Sequence, residues 1–193
     1  DRFTTGTTAG TYPAGLVKTA QDVYTKATAA IDQSLSDEAY ETLCVEMKSA
    51  MEAVENGMNP LTDGLYLIHD SRDTNLYLYG ETASNVNRSS CKALANYDGT
   101  FTKELVPYVW RVSHVTNADG KEVLTFYNEN LQGYMQKTNK DNHYLLGNAA
   151  ANFVALHDGE VSKAAFRFQP EGTQEIVCTN PQGWVLSWTA KDD

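Results

Sequence analysis

The residues most able to do chemistry in this chain are four histidines: His69, His114, His143 and His157. A neutral imidazole can move a proton or bind a metal, but either task needs partners at a set spacing. None of the four stands in an H-E-x-x-H run or in any other close ligand pairing, so each reads as a structural histidine. No G-x-S-x-G elbow presents a serine nucleophile. Cys91 lies between Arg88 and Lys92, and nearby cations lower a thiol pKa. Its place at the start of an apolar strand instead predicts burial. Asp63, Asp70, Asp73, Asp98 and Asp158 sit near turns. A pair of them could share a cation, but aspartate has an ordinary backbone role in turns. No glycine-rich phosphate loop occurs. These residues fix no reaction, and the expectation is a chain without catalysis, cofactor or metal.

Two kinds of element would position whatever chemistry remains. Residues 1–12, DRFTTGTTAGTY, hold five threonines and two glycines without an apolar period and predict an extended or flexible lead-in. Leu16, Ala20, Val23, Ala27 and Ile31 then share one helical face, with Pro13 suited to the first turn. Tyr40, Leu43, Met47, Ala50, Met51 and Val54 repeat the spacing, with Ser34 or Ser36 as N-cap and Gly57 and Pro60 closing the run. The pattern predicts an antiparallel αα-hairpin over 1–61. The glutamates along its second helix read as a solvated face.

From Thr62 the pattern turns strand-like, with short apolar-aromatic runs between Asp-Gly, Asn and Gly clusters. Three stretches align by eye: GLYLIHDSRDTNLYLYG from Gly64, EVLTFYNENLQGYMQKT from Glu122 and TQEIVCTNPQGWVLSWT from Thr173. Each reads as two strands around a polar turn. The likeness runs on: KALANYDG matches FVALHDG, and YVWRV, centred on Trp110, matches AAFRF, centred on Phe166. The implied copies are about 62–121, 122–172 and 173–193. The phrase Gln-Gly-aromatic marks a turn in two of them, at Gly133 and Gly183. Alternation turns Tyr79, Tyr144 and Trp188 away from the core and Trp184 into it.

Four-stranded copies in threefold pseudo-repeat, each ending in an aromatic-centred strand, resemble a β-trefoil of the ricin-B lectin-like type over 62–193. That family usually carries Gln-x-Trp in its last strand; Trp110 and Phe166 keep the aromatic and lack the Gln. A helical hairpin before such a module also resembles extracellular Bacteroidetes-type proteins. The resemblance implies a mainly β, α+β chain: a helical hairpin and then a trefoil-like barrel. The third copy is incomplete at Asp193, which suggests a cut chain or a partner that completes it. It also implies a sugar site with an acidic or amide residue in the first hairpin of each copy, at Asp70, Asn128 and Asn180. Tyr79, Tyr144 and Trp188 are the candidate stacking rings. The implied function is a non-catalytic carbohydrate-binding or adhesion module of an extracellular protein. The alternatives are a protein-interaction module or a cleaved accessory subunit of a larger secreted hydrolase.

Bulk properties fit a non-nucleic-acid partner. The chain has 193 residues, 41 % of them hydrophobic, and a net charge of -10. That average field repels a polyanion such as DNA or RNA. No apolar run approaches the ~18 residues of a membrane span. Cys44, Cys91 and Cys178 show no metal-ligand spacing and are expected as buried free thiols. The first residue is not Met, so the chain is expected to be processed or excised from a longer one, and the threonine- and asparagine-rich composition points to a secreted, periplasmic or cell-surface protein.

Overall fold

The computed structural model describes residues 3–31, 33–70, 75–94, 97–137, 144–157, 166–179, 183 and 185–189. The chain divides into two compact units, Asp1–Leu61 and Thr62–Asp193.

The first unit is built on two helices, α1 (Ala14–Ala30) and α2 (Asp37–Asn56). Pro13 precedes α1, where its missing N–H costs nothing. Ser36 caps α2, its hydroxyl accepting from the Ala39 N–H at 3.3 Å, and Asp37 and Glu38 place negative charge at the helix's positive end. Leu16, Val17 and Ala20 of α1 meet Val54 of α2, with Met58 beside them. The lead-in differs from the expectation of a loose strand. Tyr12 is a core residue, 6 % exposed, with Phe3 edge-on to it at 5.0 Å. The Gly6 and Gly10 N–H groups donate to the Tyr12 and Asn59 carbonyls, and the Asn59 N–H donates to Thr11. The Asn59 side-chain amide adds bonds to the Gly6 carbonyl and the Thr11 hydroxyl, each 3.0 Å. A threonine-rich segment with no apolar period still docks, because one aromatic and one amide hold it. Ile31 also departs from its expected place: the helix has ended by then, and it is 71 % exposed.

The second unit is mainly β. Its strands are β1 (Gly64–Leu67), β2 (Leu76–Ala83), β3 (Val86–Ala93), β4 (Val109–Thr116), β5 (Glu122–Asn128), β6 (Gly133–Lys137), β7 (Tyr144–Gly147), β8 (Phe153–His157), β9 (Phe166–Pro170), β10 (Glu175–Thr179) and β11 (Val185–Thr189). A 3₁₀ turn, Lys103–Tyr108, leads into β4. Antiparallel pairing runs β1–β4–β5–β8–β9, and β2–β3, β6–β7 and β10–β11 form hairpins. The first nine strands make one strongly curled sheet. Alternation drives the curl: Trp110 and Val112 of β4, Phe126 of β5, Met135 of β6 and Phe153 of β8 all point inward and are at most 2 % exposed. Phe126 is the hub, edge-on to Phe153 at 5.1 Å and to Phe168 at 4.8 Å. The buried Trp110 indole donates to the Leu78 carbonyl at 3.1 Å, so the aromatic that centres β4 also ties it to β2.

β4 pairs with both β1 and β5, and β8 pairs with both β5 and β9. The two Gln-Gly phrases do not mark one turn. Gln132 takes the positive φ (50°) in the first, whereas Gly183 takes it (76°) in the second. The first joins β5 to β6, and the second lies between β10 and β11. Their likeness reflects a shared need for a tight polar reversal before an aromatic strand.

Candidate functional site

The hairpin β2–β3 carries the most elaborated outward face among the described residues. Its turn is Ser84-Asn85, both with positive φ (51° and 63°), as a two-residue type I′ connection requires. That turn fixes the register: Tyr77 opposite Lys92, Tyr79 opposite Ser90, Glu81 opposite Arg88. Directly opposed residues share a face, so these six stand together, while Leu78 and Cys91 point into the core.

Glu81 organises this face. Its Oε1 accepts from Arg88 Nε (2.9 Å) and Nη2 (2.8 Å), and its Oε2 pairs with Lys92 Nζ at 2.8 Å. Burial pushes the Glu81 carboxyl up, but the hydrogen bonds and charges of Lys92 and Arg88 outweigh it and hold the group below its ordinary value. The bond to Glu81 raises the Lys92 ammonium in return. Lys92 Nζ also lies 4.2 Å from the centre of the half-buried Tyr79 ring, a cation–π arrangement. Tyr108 meets Tyr79 edge-on at 4.6 Å, and its hydroxyl donates to the Ala93 carbonyl at 3.2 Å. The Ser90 hydroxyl is buried without a hydrogen-bond partner. The result is an aromatic surface bordered by one carboxylate and two cations, with Lys92 the most exposed of the charged three at 46 %.

The residues expected to bind a ligand are dispersed. Tyr79 stands on this face. Asp70 is half-buried just ahead of β2, where its N–H donates to the Leu76 carbonyl and its carboxylate accepts from the Thr179 hydroxyl. Asn128 and Tyr144 are both fully buried, so neither offers a surface to a ligand, and the expectation for them is corrected. Asn128 serves the fold. Its amide donates to the Pro107 carbonyl at 3.0 Å and, at a long 3.5 Å, to Val109, and its carbonyl accepts from the Leu131 N–H at 3.0 Å. A Cβ on Gly80 would fall on that amide, which explains a glycine inside β2. Tyr144 points inward beside Phe153, and its carbonyl accepts from the Ser89 hydroxyl at 3.0 Å. Asn180, Trp184 and the side chain of Trp188 lie outside the described residues.

The remaining candidate groups among the described residues stand apart from this face. Arg88 and Lys92 engage Glu81 on the face opposite to Cys91, so they are not companions of its thiol. The three cysteines form no disulfide, and Cys44 is exposed rather than buried. His69 contacts the Asp70 carbonyl through Nδ1 at 3.0 Å and Tyr77 edge-on at 5.8 Å. His114 approaches Asp63 through its backbone N–H and its Nδ1, each 2.7 Å; these bonds hold the Asp63 carboxyl below its ordinary value. His143, Asp73, Asp158 and the His157 side chain lie outside the described residues. Among those described, no group of three or more His, Cys, Asp or Glu could hold a metal ion. No described helix is long and apolar enough to cross a membrane.

Glu81, Arg88 and Lys92 escaped the sequence reading as a cluster, although their signal is present. Tyr-x-Tyr-x-Glu and Arg-x-Ser-x-Lys mirror each other about Ser84-Asn85. The turn lacks the glycine that normally announces a type I′ hairpin, so the mirror was not apparent.

No protein-family model matches the chain, and no curated protein matches it. One solved structure with similarity is described as showing the structure and mode of action of a mosquitocidal holotoxin. It is 13 % identical over 69 % of this chain and 16 % of that one, with a TM-score of 0.49. The chain thus spans well under two thirds of that protein's length. At that level of likeness neither family nor activity transfers.

Proposed function

We propose that this chain is a non-catalytic carbohydrate-binding module of an extracellular protein, and that its second unit is a β-trefoil-like barrel. The pairing β1–β4–β5–β8–β9, with three hairpins beside it, supports the fold reading. The single observation that carries the function is the outward face of β2–β3. Tyr79 supplies apolar ring area for the C–H face of a sugar. Glu81 accepts from sugar hydroxyls, and Lys92, the most exposed charged member, donates to them. Binding is shallow and weak, because the ring is half-buried and Glu81 is already engaged by two cations. The threonine- and asparagine-rich composition supports a secreted, periplasmic or cell-surface setting.

Saturation-transfer NMR with galactose, lactose, N-acetylglucosamine and mannose tests the reading. The expected result is transfer to at least one sugar, with Tyr79→Ala and Glu81→Gln each weakening binding about tenfold. Tyr127→Ala serves as the control. Tyr127 and Tyr134 form a separate half-exposed aromatic pair, with ring centroids 4.9 Å apart. Loss of binding on Tyr127→Ala but not on Tyr79→Ala would move the site away from β2–β3.

A further inference from the structure

The charges on the β2–β3 face are unequally exposed. The side chain of Glu81, the one carboxylate of the cluster, is 16 % exposed, against 28 % for Arg88 and 46 % for Lys92. Both of its oxygens are taken, Oε1 by Arg88 and Oε2 by Lys92. Two cations around one carboxylate leave a single positive charge, and the outermost groups carry it. Arg88 reaches Glu81 through Nε and Nη2, so Nη1 keeps its donors among the described residues. Lys92 likewise keeps N–H groups beyond the one it gives to Glu81.

Ser90 adds an independent observation. Arg88, Ser90 and Lys92 are alternate residues of β3, so they stand in one row on one face, about 7 Å apart along the backbone. The charged ends of the outer two converge on Glu81. Ser90 between them is 4 % exposed, and its hydroxyl has no hydrogen-bond partner. Buried hydroxyls are normally paired. A row of cation, unpaired hydroxyl and cation is short of acceptors, which an anionic oxygen group supplies. The stacking ring is next to this row: Lys92 Nζ lies 4.2 Å from the centre of the Tyr79 ring. A sugar seated on that ring therefore brings its substituents to the ammonium. The chain's net charge of -10 repels an extended polyanion, so the fit is to one acidic residue of an otherwise neutral glycan. We infer that the β2–β3 face selects an acidic sugar, a uronate, with its ring on Tyr79 and its carboxylate on Lys92 and Arg88. This inference rests on the carbohydrate-binding reading above and narrows its ligand class.

Competitive saturation-transfer NMR on the full chain compares galacturonate with galactose and glucuronate with glucose. The expected result is a uronate bound about fivefold tighter than its neutral parent at low salt, as one exposed ion pair supplies. The ratio should fall to near parity at about 1 M salt, where the screening length is about 3 Å. Lys92→Met, which keeps an apolar stem over Tyr79, should also bring the ratio to parity. Glu81→Gln, which removes the compensating charge, should raise it. Circular dichroism checks that both variants fold, and the comparison on the parent chain needs neither. Acetate at the same concentration should not displace galacturonate; displacement would mean a carboxylate site without a sugar and would overturn the inference. So would a neutral sugar that binds as tightly as its uronate, a result that leaves the carbohydrate reading standing. Transfer to no sugar, neutral or acidic, would overturn both.

Discussion

Replacing Asn128 tests the most consequential correction made by the structure, from ligand residue to fold residue. In Asn128→Ala the Pro107 carbonyl and the Leu131 N–H lose their partners, and so does the long bond to Val109. Each partly buried group left unsatisfied costs about 1 kcal/mol, and the vacated amide leaves a cavity that costs about the same. The sum is about 3 kcal/mol, or a fall in Tm of about 10 °C for a unit of this size. Asn128→Leu separates the causes: it refills the volume but restores no hydrogen bond, so it should recover only the cavity part, about 1 kcal/mol. Thermal melts followed by circular dichroism provide the assay. If Asn128→Ala melts within ~2 °C of the parent and loses sugar binding instead, the side chain is a surface ligand contact and the argument from burial fails.

Other predictions concern single contacts. Gly183→Ala should destabilise the second unit, because Gly183 holds a φ of 76° and an added Cβ would stand 2.7 Å from the Cys91 carbonyl; a lower denaturant midpoint with unchanged slope is the expected readout. Asn59→Ala should release the lead-in of the first unit, seen as faster proteolysis before Tyr12, since its amide makes two side-chain bonds to that segment. Acid should unlock β2–β3: a carboxyl held below its ordinary value of 4.5 contributes stability that is present above that pH and lost as pH falls through the lowered value. The Tm gap between parent and Glu81→Gln should therefore shrink from about pH 6 to about pH 3. The Lys92 contribution runs the other way, fully present below 10.5 and lost as pH rises past its elevated value.

The helical hairpin was legible because its signals are local. Apolar spacing of three and four, a Ser cap and a closing Gly each sit within a turn or two of the feature they determine. Of the segments expected to double back in the second unit, Thr173–Thr189 is the hairpin β10–β11, whereas the first holds β1, which pairs with β4, and β2, which pairs with β3. What was not legible is non-local. β1 pairs with β4, Gly64 opposite Val112, and β5 with β8, Leu124 opposite Phe153, and no short phrase encodes that order. The repeated Gln-Gly phrase suggested one shared turn, whereas the first joins β5 to β6 and the second lies between β10 and β11. Alternation turned Tyr144 outward, and only the resemblance made Asn128 a ligand group. In the structure a polar side chain is buried once backbone groups such as the Pro107 carbonyl and the Leu131 N–H satisfy it. Arg88 and Lys92 read as neighbours of Cys91 in the chain, and Glu81 carries no local signal; a glycine-free turn brings all three to one face.

The most direct test of the central claim is a glycan-array screen of the folded chain beside its Tyr79→Ala variant. The account predicts binding to at least one glycan by the parent, reduced about tenfold or more in the variant. A blank array from demonstrably folded parent protein, or a hit that Tyr79→Ala leaves intact, would contradict it.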